Sequence, residues 1–226
     1  MKICFLAASN SIHSHKWINF FANMGHEVIW ISLVPSTIKV SNNIEYYEFT
    51  SGIFSSIYKV RKLILKLNPD IVHIHYLGYY ALLGLFSGAK CIVSTPWGSD
   101  INVGKKSFFK RQILSRILKK SKLFTCDAYY MRDELKKFDV PHEKIHIINF
   151  GIDSKKFFKQ ERNFKVLEKF NISDELTIIS LRNFEPVYDI KTLIYAAKII
   201  LKEITTVRFL LVGKGTLENE LKQMVQ

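Results

Sequence analysis

The chain has 226 residues, of which 48% are hydrophobic and 23% charged, and its formal net charge is +13. These proportions suit a globular protein able to bury a sizeable core and exclude a largely disordered chain. The excess charge is uneven: residues 1–150 hold 20 Lys and Arg against 10 Asp and Glu, and residues 151–226 hold 13 against 10. Anionic partners are therefore the ones to consider: nucleic acid, a membrane surface or phosphorylated small molecules.

In chain order, KICFLAA (2–8) reads as a first strand. A helix carrying Trp17, Phe20, Phe21 and Met24 follows, and Gly25 ends it. HEVIWISL (26–33) and IEYYEF (44–49) read as strands. A helix around 53–67 stops at Asn68-Pro69. DIVHIHY (70–76) is the fourth strand, followed by a helix over 78–87. KCIVST (90–95) is the fifth, and Pro96 with Gly98 makes a loop. A basic helix at about 105–120, KLFTCD (122–127), a short helix near 129–137 and KIHIIN (144–149) complete the pattern. After a charged stretch, ELTIISL (175–181), a helix over 189–201, VRFLLV (207–212) and a helix from 216 restart it. Continuous apolar strands alternating with helices predict an α/β protein with buried parallel sheets. Residues 1–150 are expected to form one Rossmann-like domain. Residues 151–226 are expected to be a linker and the opening β-α-β-α of an incomplete second one.

No apolar run reaches the roughly 18 residues of a membrane span, and the N-terminal run lacks the features of a signal peptide. Cys4, Cys91 and Cys126 are far apart in apolar runs, which suggests reduced core thiols and a cytosolic protein.

Four constellations could carry chemistry. The loop after the first strand, Ser9 to Lys16, has no glycine, so it lacks the dinucleotide fingerprint. Its amides could meet a phosphate or hydroxylated ligand, or Ser11 or Ser14 could simply cap the helix. His73 and His75 point to one face of their strand. They form a structural pair or place one histidine towards a ligand; a metal site would need further Cys, Asp or Glu ligands, which the sequence does not place nearby. Segment 104–122 carries eight basic residues and no acidic one. Its stripe of Phe109, Ile113, Leu114, Ile117 and Leu118 suits either a membrane-surface helix or packing on the sheet with a solvated basic face. Without a recognised binding module, nucleic acid is not expected as a partner. Finally, Arg182 and Gly213-Lys214-Gly215 both follow strands of one sheet, where an arginine fork can grip a diphosphate.

These residues together resemble the GT-B glycosyltransferases of the GT4-like group. The resemblance is carried by Gly25-His26-Glu27-Val28, Asp70-Ile71-Val72-His73-Ile74-His75 and Thr95-Pro96-Trp97-Gly98-Ser99-Asp100. Further along it is carried by Asn149-Phe150-Gly151-Ile152-Asp153 with Phe157, Ser180-Leu181-Arg182, and Val212-Gly213-Lys214-Gly215-Thr216-Leu217. It implies a GT-B fold whose first domain binds the acceptor and whose second binds a nucleotide-sugar donor across a cleft. It also implies a retaining transfer without metal or other cofactor. Basic side chains would then neutralise the departing diphosphate.

By this resemblance Arg182 is the catalytic candidate, with Tyr188, Lys191, Gly213, Lys214 and Gly215 as donor contacts. Ser9, Asn10, His13, His75, Trp97, Gly98, Ser99 and Asp100 would face the acceptor. The chain departs from the family at Val187 and Tyr188, where a lysine is common; the nearest is Lys191. The first loop lacks a Gly-Gly pair, and Trp97 stands where many members have histidine. The family's paired-glutamate element would lie downstream of Gln226, so this polypeptide alone is expected to have little or no transferase activity. The implied role is in surface-glycan biosynthesis on a lipid-linked or saccharide acceptor. The protein would be cytoplasmic, with segment 104–122 available to the inner face of an anionic membrane. The alternative is a non-catalytic acceptor- or membrane-binding module.

Overall fold

The computed structural model describes residues 1–104, 108–172 and 175–225. They divide into two compact units, Met1–Ile152 and Asp153–Gln226. In the first, strands β1 (Lys2–Leu6), β2 (Glu27–Ser32), β3 (Ile44–Glu48), β4 (Ile71–His75), β5 (Ile92–Thr95), β6 (Leu123–Cys126) and β7 (Ile145–Ile147) alternate with helices. The helices are α1 (Ile12–Asn23), α2 (Ile53–Leu67), α3 (Tyr79–Phe86), α4 (Ser99–Gly104), α5 (Phe108–Lys120) and α6 (Tyr129–Lys136). The strands form a parallel sheet in the order β3-β2-β1-β4-β5-β6-β7. Its direction of growth reverses between β1 and β4. A sheet of this order binds ligands outside the strand C-termini at that reversal.

Both faces of the sheet are covered. One side packs Ile3, Phe5, Val28 and Trp30 against Ile18 and Ala22 of α1. The other packs Cys4, Leu6, Ile29, Ile74 and Phe124 against α2, α3 and α5. Double coverage is why the strands read as continuous apolar runs rather than alternating ones.

Two local expectations are corrected, and one helix is added. The buried face of α1 is Ser14, His15, Ile18 and Ala22, whereas Phe20 and Met24 are exposed. Ile18 faces the sheet, and Phe20 lies two residues on, about 200° round the helix. Ser99–Gly104, between the expected Pro96–Gly98 loop and the basic helix, forms α4, and Asp100 in its first turn accepts from the amides of Trp97 and Ile101. In the basic segment 104–122, residues 105–107 lie outside the described residues. On α5, Leu114, Ile117 and Leu118 are buried but Phe109 is 79% exposed. Steps of four residues advance about 40° each, so Phe109 sits roughly 80° from Ile117 and leaves the stripe.

The second unit holds α7 (Phe164–Lys169), β8 (Leu176–Ser180), α8 (Ile190–Glu203), β9 (Val207–Leu211) and α9 (Glu218–Met224). β8 and β9 pair in parallel, and Phe184, Ile190, Ile194 and Leu221 make a small core with Leu211, Leu217 and Met224.

The packing of α5 yields a paired prediction for urea unfolding. Ile117→Ala should cost about 2–5 kcal/mol, whereas Phe109→Ala should change stability by less than about 0.5 kcal/mol. Equal effects would contradict the helix orientation.

Candidate functional site

At the sheet's reversal, the segment after β1 and the end of β4 bring aromatic and imidazole rings together. His13, in the first turn of α1, stacks on Phe150 at 4.4 Å and meets the edge of Trp97 at 5.7 Å. His75 ends β4, 4.6 Å from His73 and 6.1 Å from Trp97. Trp17 stands edge-on to both histidines at 5.5 Å. His13 Nδ1, Ser14 Oγ, Trp97 Nε1 and both ring nitrogens of His75 are buried and have no hydrogen-bond partner among the described residues. Leaving such a group unpaired costs roughly 1–3 kcal/mol. Several of them gather at the sheet reversal, the place where sheets of this order take ligands.

His73 differs from its neighbour because its Nε2 pairs with Thr95 Oγ1 at 2.7 Å, and Thr95 in turn with Thr125 Oγ1 at 2.5 Å. Burial pulls the His73 imidazole down to about 3. It lowers His75 well below the usual value too, and the neighbouring His73 reinforces the effect. His13 is also lowered, chiefly by desolvation and then by Lys16, with Asp127 opposing.

Asp100 is 5% exposed. Its Oδ2 accepts from the Leu77 amide at 2.6 Å, and its Oδ1 from the amides of Trp97 and Ile101 at 3.1 and 3.0 Å. Burial raises its pKa and the surrounding amides oppose that rise. The carboxylate therefore joins the loop after β4 to the one after β5 and is not presented to a ligand. Ser9 also departs from the ligand-facing place expected for it. Its hydroxyl donates to the Val34 carbonyl at 2.8 Å and accepts from Tyr46 at 3.0 Å, and the residue is fully buried. The loop after β1 thus turns its first serine inward. Asn10 and Ser99 are exposed, and Gly98 takes a φ of 101°. Ser11 is the N-cap residue of α1, yet neither it nor Ser14 caps through its side chain.

In the second unit, Arg182 follows β8 with its guanidinium 5.6 Å over the Tyr188 ring. Gly213 and Gly215 follow β9. A Cβ on Gly213 would lie 2.2 Å from the Arg182 carbonyl oxygen, and one on Gly215 2.4 Å from that of Phe184. These two glycines are what let the loops lie backbone to backbone, with the Phe184 amide bonded to the Lys214 carbonyl at 2.9 Å. Glu185 fastens the contact by accepting from the Thr216 amide and hydroxyl at 3.0 and 2.7 Å. Arg182 and Lys214 are exposed, whereas Lys191 is ion-paired with Glu220 of α9.

Sequence reasoning did not single out Glu185, the pairing of Thr216 with it, or the ring contacts of Trp17 and Phe150. The Asn149–Asp153 motif contained Phe150 but gave no sign that it stacks on His13. Among the described residues, no group of three or more His, Cys, Asp or Glu could hold a metal, and no helix is long and apolar enough to cross a membrane.

A family model described as "Glycosyl transferase 4-like" matches residues 2–128. No curated protein sequence matches the chain. Among solved structures, HepE of Anabaena in complex with UDP-glucose is similar with a TM-score of 0.77 at 14% identity, covering 100% of this chain and 65% of that one. Sucrose-phosphate synthase from Thermosynechococcus elongatus gives 0.75 at 15%, covering 100% and 67%. The UDP-GlcNAc 2-epimerase of Methanocaldococcus jannaschii gives 0.60 at 14%, covering 99% and 68%. The chain thus spans 65% of the length of the Anabaena protein.

His73 and His75 predict how stability responds to acid. Their folded pKa values lie below the unfolded value, so the unfolded chain binds more protons and stability falls with decreasing pH. For His73 the window runs from about 6.5 down to about 3. Between pH 7 and 5 His73 should remove roughly 2 kcal/mol. Urea unfolding of His73→Gln should show a shallower pH slope than wild type, and an unchanged slope would contradict this reading.

Proposed function

Because the chain belongs to the glycosyl transferase 4-like family, we propose that it serves a glycosyltransferase that moves a sugar from a nucleotide donor. The acceptor is a lipid-linked or saccharide molecule of a surface glycan. The observation that carries the reading is the loop pair of the second unit. Arg182, stacked over Tyr188, follows β8, and the Gly213–Gly215 loop follows β9 in register beside it. Strand C-termini in such a sheet are where diphosphates bind, and an exposed guanidinium offers them bidentate, charge-assisted hydrogen bonds. Lys214 adds a second cation from the adjoining loop.

In this reading Arg182 neutralises the charge that develops on the leaving diphosphate, so no metal is required; the retaining outcome is taken from the family resemblance. Tyr188 orients the guanidinium, and the Gly213 and Gly215 amides line the diphosphate. Lys191 acts more remotely, through its pair with Glu220. The sheet reversal of the first unit takes the acceptor, with the half-buried His13 and Trp97 offering unpaired nitrogens to its hydroxyls and the fully buried His75 lying behind them. Desolvation keeps His13 and His75 neutral at neutral pH, so each can donate and accept. The basic face of α5 would meet an anionic membrane from the cytoplasmic side. The UDP-glucose complex of HepE supports a uridine nucleotide as the first donor to try. An epimerase of similar fold indicates that the fold by itself does not choose the reaction.

Melting temperatures measured across UDP-, GDP- and ADP-sugars provide the test. One class should raise the melting temperature by several degrees at saturating concentration, and Arg182→Ala should weaken that ligand at least tenfold. Equal binding by Arg182→Ala, or no shift with any nucleotide sugar, would contradict the proposal.

A further inference from the structure

The first unit carries an apolar groove of about 360 Å³ between α3 and α5, within the usual size of small-molecule sites. Tyr76, Tyr79, Leu82, Ile113 and Lys110 border it. Asp100 borders it as well, but its oxygens are taken up by the amides of Leu77, Trp97 and Ile101. Lys110 is thus the cation at a groove whose remaining walls are apolar or aromatic. Arg111 adjoins it on α5, whereas Arg116 and Lys119 lie about 120° and 180° round the helix from it. None of the four forms an ion pair among the described residues, and all are exposed. Phe108 and Phe109, 72% and 79% exposed, begin the same helix. An apolar trough with cations beside it is complementary to an anionic amphiphile. A free saccharide would need more hydrogen-bonding groups than these walls offer.

The groove is also joined to the site at the sheet reversal. Tyr76 lines it and at the same time lies 6.1 Å from Trp97, edge to face. Its backbone has a φ of 63°, a left-handed conformation that costs a non-glycine residue energy and persists only where the surroundings impose it. The ring also needs Gly78, where a Cβ would come within 2.9 Å of Tyr76 Cε1. The chain therefore holds a strained tyrosine between the groove and the Trp97–His13 cluster.

We propose that this groove receives the apolar chain of a lipid-linked acceptor, for which farnesyl diphosphate serves as the probe. The chain lies along Leu82 and Ile113, its phosphate or diphosphate meets Lys110 and Arg111, and its head group passes Tyr76 to Trp97 and His13. The inference rests on the transferase reading and narrows its acceptor to the lipid-linked class. Lipid binding needs no donor, so the two can fail separately.

Isothermal titration of the 226-residue chain with farnesyl diphosphate and with inorganic diphosphate at low salt provides the test. Farnesyl diphosphate should bind at least tenfold more tightly than inorganic diphosphate. Leu82→Gln should reduce that advantage about tenfold, and Lys110→Glu, at an exposed position, should weaken farnesyl diphosphate about tenfold with an unchanged melting temperature. Equal affinity for the two ligands would overturn the proposal, as would absence of farnesyl diphosphate binding or indifference to Lys110→Glu. Should nucleotide sugars still raise the melting temperature in any of those cases, only the lipid assignment falls.

Discussion

One buried carboxylate organises the ligand-facing end of the first unit. Asp100 accepts hydrogen bonds from the amides of Leu77, Trp97 and Ile101, which belong to two successive loops of the sheet. Burying a charge is costly unless it is met by such donors, so the two loops are bound to each other by the need to satisfy it. Trp97 is held where its ring can meet His13, His75 and Tyr76. The same bond from Leu77 fixes the turn in which Tyr76 takes its left-handed backbone. The unpaired nitrogens at the sheet reversal and the groove beside α5 both depend on that clamp.

The second unit reaches a similar result by opposite means. Its two loops approach through missing side chains, with Gly213 and Gly215 laid against the carbonyls of Arg182 and Phe184. The Glu185–Thr216 contact then closes them. A rigid pair of loops leaves the Arg182 guanidinium free to face a ligand, supported by the Tyr188 ring. Preorganised charge of this kind is what the proposed expulsion of a diphosphate would draw on.

The order of strands and helices was legible because parallel strands covered on both faces must be apolar throughout, as CFL, VIWI and IVHI are. Helix faces were less so. Phe20 and Phe109 are large and apolar, yet both point outward, and only the rotation of each helix against the sheet decides that. Functional groups were legible where a motif named a residue and opaque where a contact spans the chain. Nothing in the sequence joins Asp100 to Leu77, Glu185 to Thr216 or His13 to Phe150. Ser9 shows the converse. A polar residue after a first strand suggests a ligand contact, but its hydrogen bonds to Val34 and Tyr46 turn it into the core.

The central claim is that the loops after β8 and β9 hold the diphosphate of a nucleotide sugar, and amide chemical-shift mapping tests it at the level of single residues. On addition of a stabilising nucleotide sugar, the largest shifts should fall on Arg182, Tyr188, Gly213, Lys214 and Gly215. Shifts confined to other residues, with these five unmoved, would contradict the account.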